Sequence, residues 1–215
     1  GNTAGYISAK DVLVKGCTVV GGNGFRSCYT SGTVTFEDSV ITGSTYGIHF
    51  DGSAGGNIVI DNCVITGWTS FAKTIKKVTM TDTTFEKGNY NYIRFYQEEV
   101  VLDGCTFNEK MGVDVDNSVN ATVTVTNCTV ENGNVENLFE EADIAKSTIT
   151  VDGETLVRVA KIGNTYYETL ADALAAVGAG DVVIELLANV TLDYNAREAY
   201  GTADTTSITI NGNGK

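Results

Sequence analysis

The chain has 215 residues, 42% of them hydrophobic, with 24 Gly, no Pro, five Cys, a single His and a formal charge of −13. That balance leaves room for one large domain, alone or with a smaller module, and it excludes phosphate-rich partners, because so acidic a surface repels nucleic acid and anionic membranes. No stretch has the length and apolarity of a membrane helix, so no membrane insertion is expected; the lack of Pro suits a chain whose backbone N–H groups are nearly all needed in ladders.

From the N-terminus one phrase recurs: DVLVKGCTVVG (11–21), TVTFEDSVITG (33–43), NIVIDNCVITG (57–67), KVTMTDTTFEKG (77–88), EVVLDGCTFNE (99–109) and TVTVTNCTVENG (122–133). Aligned on the residue after the small polar kink, the column reads Cys17, Ser39, Cys63, Thr83, Cys105, Cys128, at spacings of 22, 24, 20, 22 and 23 residues. Such a period means stacked supersecondary units. Each unit holds short alternating runs and no helical period, so it reads as one coil of a β-solenoid.

Within each coil the first strand points inward with Val34/Phe36, Ile58/Ile60, Val78/Met80, Val100/Leu102 or Val123/Val125. The kink column follows: Gly16, Asp38, Asn62, Asp82, Gly104, Asn127. These residue types tolerate the left-handed region, where one residue turns a strand sharply and resets its alternation. The next strand is expected to bury Val19, Ile41, Ile65, Phe85, Phe107 and Val130 and to expose Thr18, Thr84, Thr106 and Thr129. The column after the kink is therefore inward, tight and small, and its thiols read as core packing. A Cys105–Cys128 disulfide stays open because their coils are adjacent. Ser39 and Thr83 interrupt the column and no His joins it, so no metal site is expected there; an odd cysteine count argues against a complete disulfide framework.

A third strand closes each coil: NGFRSCY (23–29), YGIHFD (46–51), TSFAKT (69–74), NYIRFY (91–96) and MGVDVD (111–116). Ile48/Phe50, Ile93/Phe95 and Val113/Val115 point inward; Arg26, His49, Ala72, Arg94 and Asp114 point out. Three strands per coil imply a triangular section. The acidic run ENLFEEADIAK (136–146) breaks the repeat as a short helical insertion.

Beyond the coils, residues 158–215 read differently: strand, turn, a helix over 168–177 with Leu170, Leu174 and Val177 on one face, strands over Val182–Leu187 and Val190–Leu192, and ITINGNGK at the end. The expected division is therefore 1–157, parallel β-helix coils, and 158–215, a small α/β module.

About 22 residues per coil, three strands per coil and an Asn/Asp-rich kink column resemble the right-handed, single-stranded parallel β-helix of the pectin-lyase-like superfamily, over about residues 5–157. The resemblance implies an all-β fold of six or seven coils. The tail resembles the cap-helix module of bacterial β-helix surface proteins, either capping this solenoid or opening a second one. It implies a secreted or cell-surface bacterial origin, in a piece of a longer protein. The fold hosts lyases, hydrolases, epimerases and adhesins, so activity has to come from a site.

In that superfamily, catalytic and sugar-binding groups sit on the outer face of the third strand. The resemblance therefore points to Arg26, His49, Lys73, Arg94, Asp114 and Asp116 as ligand-binding candidates, with Trp68 and Tyr92 from the aromatics Tyr46, Trp68, Tyr90, Tyr92 and Tyr96 that recur in neighbouring turns. A lyase would need clustered carboxylates to hold Ca²⁺ and an Arg or Lys base; Asp114, Asp116 and Arg94 have the types, but TGSTYG and DGSAGGN build no deep walls. A glycoside hydrolase needs two or three carboxylates at set distances, and Asp114 and Asp116 share one strand while His49 stands alone. The expectation is a non-catalytic segment, with no catalytic residue and no cofactor, that contacts a polysaccharide or a host or cell-surface glycan. The alternative is a lyase or hydrolase of an acidic glycan. Exposed coil ends also make end-to-end self-association an expectation.

Overall fold

The computed structural model describes residues 3–29, 31–50, 56–116, 118–191 and 200–215. The chain forms two compact units, Gly1–Leu156 and Val157–Lys215.

Six residues of the first unit decide its course. Gly16, Asp38, Asn62, Asp82, Gly104 and Asn127 all have positive φ, between 45° and 63°. Each is one left-handed residue between two extended segments, and each turns the chain from one sheet into the next. Backbone bonds tie kink to kink: Gly16 N–H to Glu37 O (3.0 Å), Asn62 N–H to Thr81 O (3.1 Å), Gly104 N–H to Thr126 O (2.9 Å). Along the last kink the pattern changes, and Asn127 N–H donates to the Asp152 carboxylate at 2.8 Å.

Before the kinks run the strands Val12–Lys15, Thr33–Glu37, Gly56–Asp61, Ile75–Thr81, Glu99–Asp103, Thr122–Thr126 and Thr148–Val151, paired in parallel, coil on coil. Their inward files are the expected ones: Val34, Phe36, Ile58, Ile60, Val78, Met80, Val100, Leu102, Val123 and Val125 are all buried. A short antiparallel strand, Glu154–Thr155, ends this sheet. Asp152 (φ 49°) and Gly153 (φ 90°) make that reversal. One left-handed residue turns the coil, whereas two in succession form the tight hairpin that Asp-Gly favours.

After the kinks the second and third strands of the coil merge into one sheet. Thr18–Tyr29, Val40–His49 and Val64–Ser70 run through both positions as single long strands. In later coils the same path splits into Thr84–Glu86 with Tyr92–Phe95, and Thr106–Phe107 with Gly112–Val115. The corner inside the long strands is narrow. A Cβ on Gly43 would lie 1.7 Å from Tyr46 O, and one on Gly67 (φ 105°) 2.4 Å from Gly43 O. Only glycine lets adjacent coils touch there.

The interior is a continuous apolar file, with Phe71 stacked on Phe95 (centroids 6.3 Å) and Phe85 on Phe107 (5.2 Å). The small column after the kink does more than pack. Thr83 Oγ1 donates to Thr81 O (2.8 Å) and accepts from Cys63 N–H (3.3 Å); Ser39 Oγ donates to Glu37 O (2.8 Å) and accepts from Cys17 N–H (3.1 Å). These bonds satisfy backbone groups that the kink would strand. Ser39, Cys63, Thr83 and Cys105 are buried, but Cys17 is exposed and Cys128 only half-buried. Just after each, the chain is paired on one side alone: residues 18–21 with 40–43, since the pairing with Thr3–Ser8 begins only at Asn23, and Thr129–Val130 with Thr106–Phe107; Val19 and Val130 are partly buried for the same reason. Cys17, Cys63, Cys105 and Cys128 are free thiols. The neighbouring Cys128 sulfur, with burial, pushes the Cys105 thiol up, and the same neighbour pulls Cys128 down.

One expectation for the coils needs correction. Ala72 does not face out; it is buried. The stretch 69–74 is strand only to Ser70, then turns, because Ala72 O accepts from Ile75 N–H (3.0 Å) and from the buried Gln97 side chain (2.9 Å). The expected short helical insertion is present, as a 3₁₀ turn, Val135–Leu138, followed by helix α1, Glu141–Lys146.

In the second unit, a hairpin of Ala160–Ile162 and Thr165–Tyr167 pairs with Gly180–Leu186, which pairs in parallel with Thr205–Asn211. Helix α2, Leu170–Ala175, is capped by Thr169, whose hydroxyl accepts from Asp172 N–H at 3.0 Å. Leu170, Ala173 and Val177 pack on Ala160 and Ile184. Val190 and Thr191 are not in a strand; Val190 instead packs against this small core, and Leu192 lies outside the described residues.

Candidate functional site

The parallel register builds one outward file from residues far apart in sequence. Arg26 pairs with His49, His49 with Ser70, Ser70 with Arg94 and Arg94 with Asp114. Their inward neighbours, such as Phe25, Ile48, Ile93 and Val113, are buried and fix the alternation. The structure thus places five residues in one ladder. Lys73 is not in it: it sits in the turn after Ala72 and reaches back, its ammonium 3.7 Å from Asp116 and 5.0 Å from the Tyr96 ring.

Charge on this file is largely paired. Arg94 Nε lies 3.2 Å from Asp114 Oδ2, and an Arg94 terminal nitrogen lies 3.2 Å from Asp116 Oδ2. The Nε contact is off the angle of a hydrogen bond, so that buried N–H is electrostatically matched but not bonded. Hydrogen bonds from Ser118 hold the Asp116 carboxyl below its ordinary range, aided by Lys73 and Arg94. His49 Nδ1 is 2.6 Å from Ser70 Oγ.

Beside the file, at the glycine corner, aromatic rings stack one per coil. Tyr46 pairs with Trp68 in register, their centroids 5.4 Å apart, and Tyr90 follows at 5.8 Å from Trp68. His49 packs under Tyr46 at 4.4 Å. Tyr90 and Tyr92 are about half exposed, at 51% and 42%. The indole N–H of Trp68 is buried and has no hydrogen-bond partner, a costly state for a donor unless something else supplies an acceptor.

These groups meet in an open hollow of ≈ 420 Å³, lined by Trp68, Tyr90, Tyr92, Arg94, Asp114, Glu140 and Asp143. Its size suits a small ligand or one or two sugar units. Of the residues singled out from sequence, Trp68, Tyr92, Arg94 and Asp114 come together here, Asp116 backs Arg94, and Arg26, His49 and Lys73 do not line it. Glu140 and Asp143 were missed. They come from the insertion, whose break in the repeat hid their place in space. The Glu140–Asp143 spacing, three residues apart at a helix start, was the signal available. Asp143 is 4% exposed and accepts from Val115 N–H and Glu140 N–H, each at 3.1 Å, so it pins α1 to the third strand. Burial raises its carboxyl above the ordinary range. Among the described residues no group of three or more His, Cys, Asp or Glu is placed to hold a metal ion.

No curated protein and no solved structure matches the chain. Residues 2–155 match the family described as the right-handed beta helix region, over the same coils that carry the kink column and the parallel ladders. The chain therefore belongs to the right-handed β-helix family, in the pectin-lyase-like superfamily that its repeat resembles.

Proposed function

We propose that the solenoid unit is a non-catalytic polysaccharide-binding segment of a secreted or cell-surface bacterial protein. The observation that carries this reading is the ring file Tyr46–Trp68–Tyr90, which leads into the hollow. Aromatic faces stack on the apolar faces of sugars. The carboxylates support binding over turnover. Asp114 and Asp116 are held by Arg94, and both Asp143 oxygens accept backbone N–H groups, which leaves that carboxyl poorly set to deliver a proton.

A second reading, a lyase or hydrolase, is favoured by one observation: Asp114, Glu140 and Asp143 surround Arg94 in a single hollow. One experiment separates the two. The chain is applied to a glycan array and, in parallel, incubated with polysaccharides while new reducing ends and unsaturated products are followed. Retention without product, lost in Trp68→Ala, is the expected result; sustained product release would overturn it in favour of the enzyme.

A further inference from the structure

We infer that the hollow takes a sugar unit carrying a free ammonium group, a conclusion that rests on the glycan-binding reading above. Three aromatic residues, Trp68, Tyr90 and Tyr92, and three acidic ones, Asp114, Glu140 and Asp143, line the hollow. The one cation among these lining groups, Arg94, is already placed against Asp114 and Asp116 at 3.2 Å each. A uronate entering here would meet three carboxylates and a guanidinium whose charge is matched. An ammonium would meet ring faces, which attract cations, and uncompensated negative charge. Burial raises the Asp143 carboxyl, and even with Asp143 neutral the Asp114 and Glu140 side chains outnumber Arg94. The chain as a whole, at −13, repels anionic polymers from a distance.

The rings select among amines. A lysine-like side chain brings a cation but no apolar ring face for Trp68, Tyr90 and Tyr92. An amino sugar brings both, its ammonium for the carboxylates and the C–H face of its ring for the aromatics. The acidic glycans of the lyase and hydrolase alternative are therefore the class this hollow rejects.

The test is calorimetric titration of the full chain with three oligosaccharides of equal length: β-linked glucosamine, its N-acetylated counterpart and oligogalacturonate, with a lysine oligomer as a fourth probe. Glucosamine oligomer is expected to bind at least about tenfold tighter than the N-acetylated form, a difference of one ionic contact, and to weaken as salt is raised. Oligogalacturonate and the lysine oligomer are expected to fall below detection. Glu140→Gln is expected to shrink the preference for the free amine, and Tyr92→Leu to weaken every sugar that binds. Equal or tighter binding of the N-acetylated form or of oligogalacturonate overturns the ammonium while leaving glycan binding in place. Equal binding of the lysine oligomer overturns the sugar. No binding of any probe, with circular dichroism unchanged and the array blank, removes both readings.

Discussion

The two faces of the coil on either side of the kink follow the same repeat and differ in how strictly they keep it. In the sheet before the kink, register runs residue to residue through every coil, with one shift, at Gly56/Asn57. In the sheet after it, register slips at Gly5/Ile7, Gly21/Asn23, Thr42/Tyr46 and Tyr46/His49. The slipped face carries the aromatic file and the acidic hollow. The slips at Gly21/Asn23 and Thr42/Tyr46 sit at the glycine corner, where Tyr46 and Trp68 pair. The regular part gives the solenoid its stability, and the irregular part gives it a surface unlike any other coil's.

The sharpest way to break that contrast is to truncate one aromatic from each side of the wall. Phe36→Ala, in the regular sheet, fully buried and stacked on Phe50, is expected to cost about 3–5 kcal/mol and to lower the melting temperature markedly. Tyr90→Ala, half exposed, is expected to stay within about 0.5 kcal/mol in the same denaturant titration. If both cost the same, the outward rings are structural and the site reading fails.

A smaller effect tests the kink itself. Asn62 has φ 47°, and its side chain donates to Asp38 Oδ1 at 2.9 Å on the surface. Asn62→Val forces a β-branched residue into the left-handed region and is expected to cost about 1–2 kcal/mol or somewhat more. Asn62→Gly keeps the conformation and is expected to be nearly neutral in the same chemical denaturation, so the two variants separate backbone strain from the lost hydrogen bond.

The smallest effect is electrostatic. Two carboxyls near Arg94 shift in opposite senses, Asp116 down and Asp143 up. For Asp116 the folded value is below the unfolded one, so its stabilisation is present above ordinary carboxylate pH and is lost as pH falls through the lowered value. For Asp143 the folded value is above the unfolded one. Its contribution is full below the ordinary carboxylate value and is lost as pH rises through the raised one. Carbon NMR titration of both carboxyls checks the signs, and Ser118→Ala is expected to move Asp116 upward by removing the hydroxyl that bonds it.

The solenoid was legible in the sequence because its constraint is local and repeated. A left-handed residue every coil must be Gly, Asn or Asp, and six of them marked the turns before any contact was known. Inward files such as Val78/Met80 and Ile93/Phe95 were equally plain, since a strand flanked by coils on both sides shows its alternation fully. End positions were less so: Cys17 and Val130 carry the pattern of the core without its burial, because pattern does not say which coil is last. Ala72 was misplaced because a turn interrupts its strand. Four of the hollow's seven lining residues were legible, Arg94 and Asp114 from the file and Trp68 and Tyr92 from the recurring aromatics. Glu140 and Asp143 were not, because a packed insertion obeys no period.

The Asp152–Gly153 reversal has a bearing on growth. Parallel ladders present an unsatisfied row of N–H and C=O groups at their last strand, to which another chain can add. Here the outermost position of the first sheet belongs to Glu154–Thr155, two residues long and running the other way. A newcomer would find too few bonding groups there to seed an extended register. A stack that could in principle lengthen without limit is thereby given a poor template on that side, and the same two residues are where a lengthened or fibrous variant would have to begin.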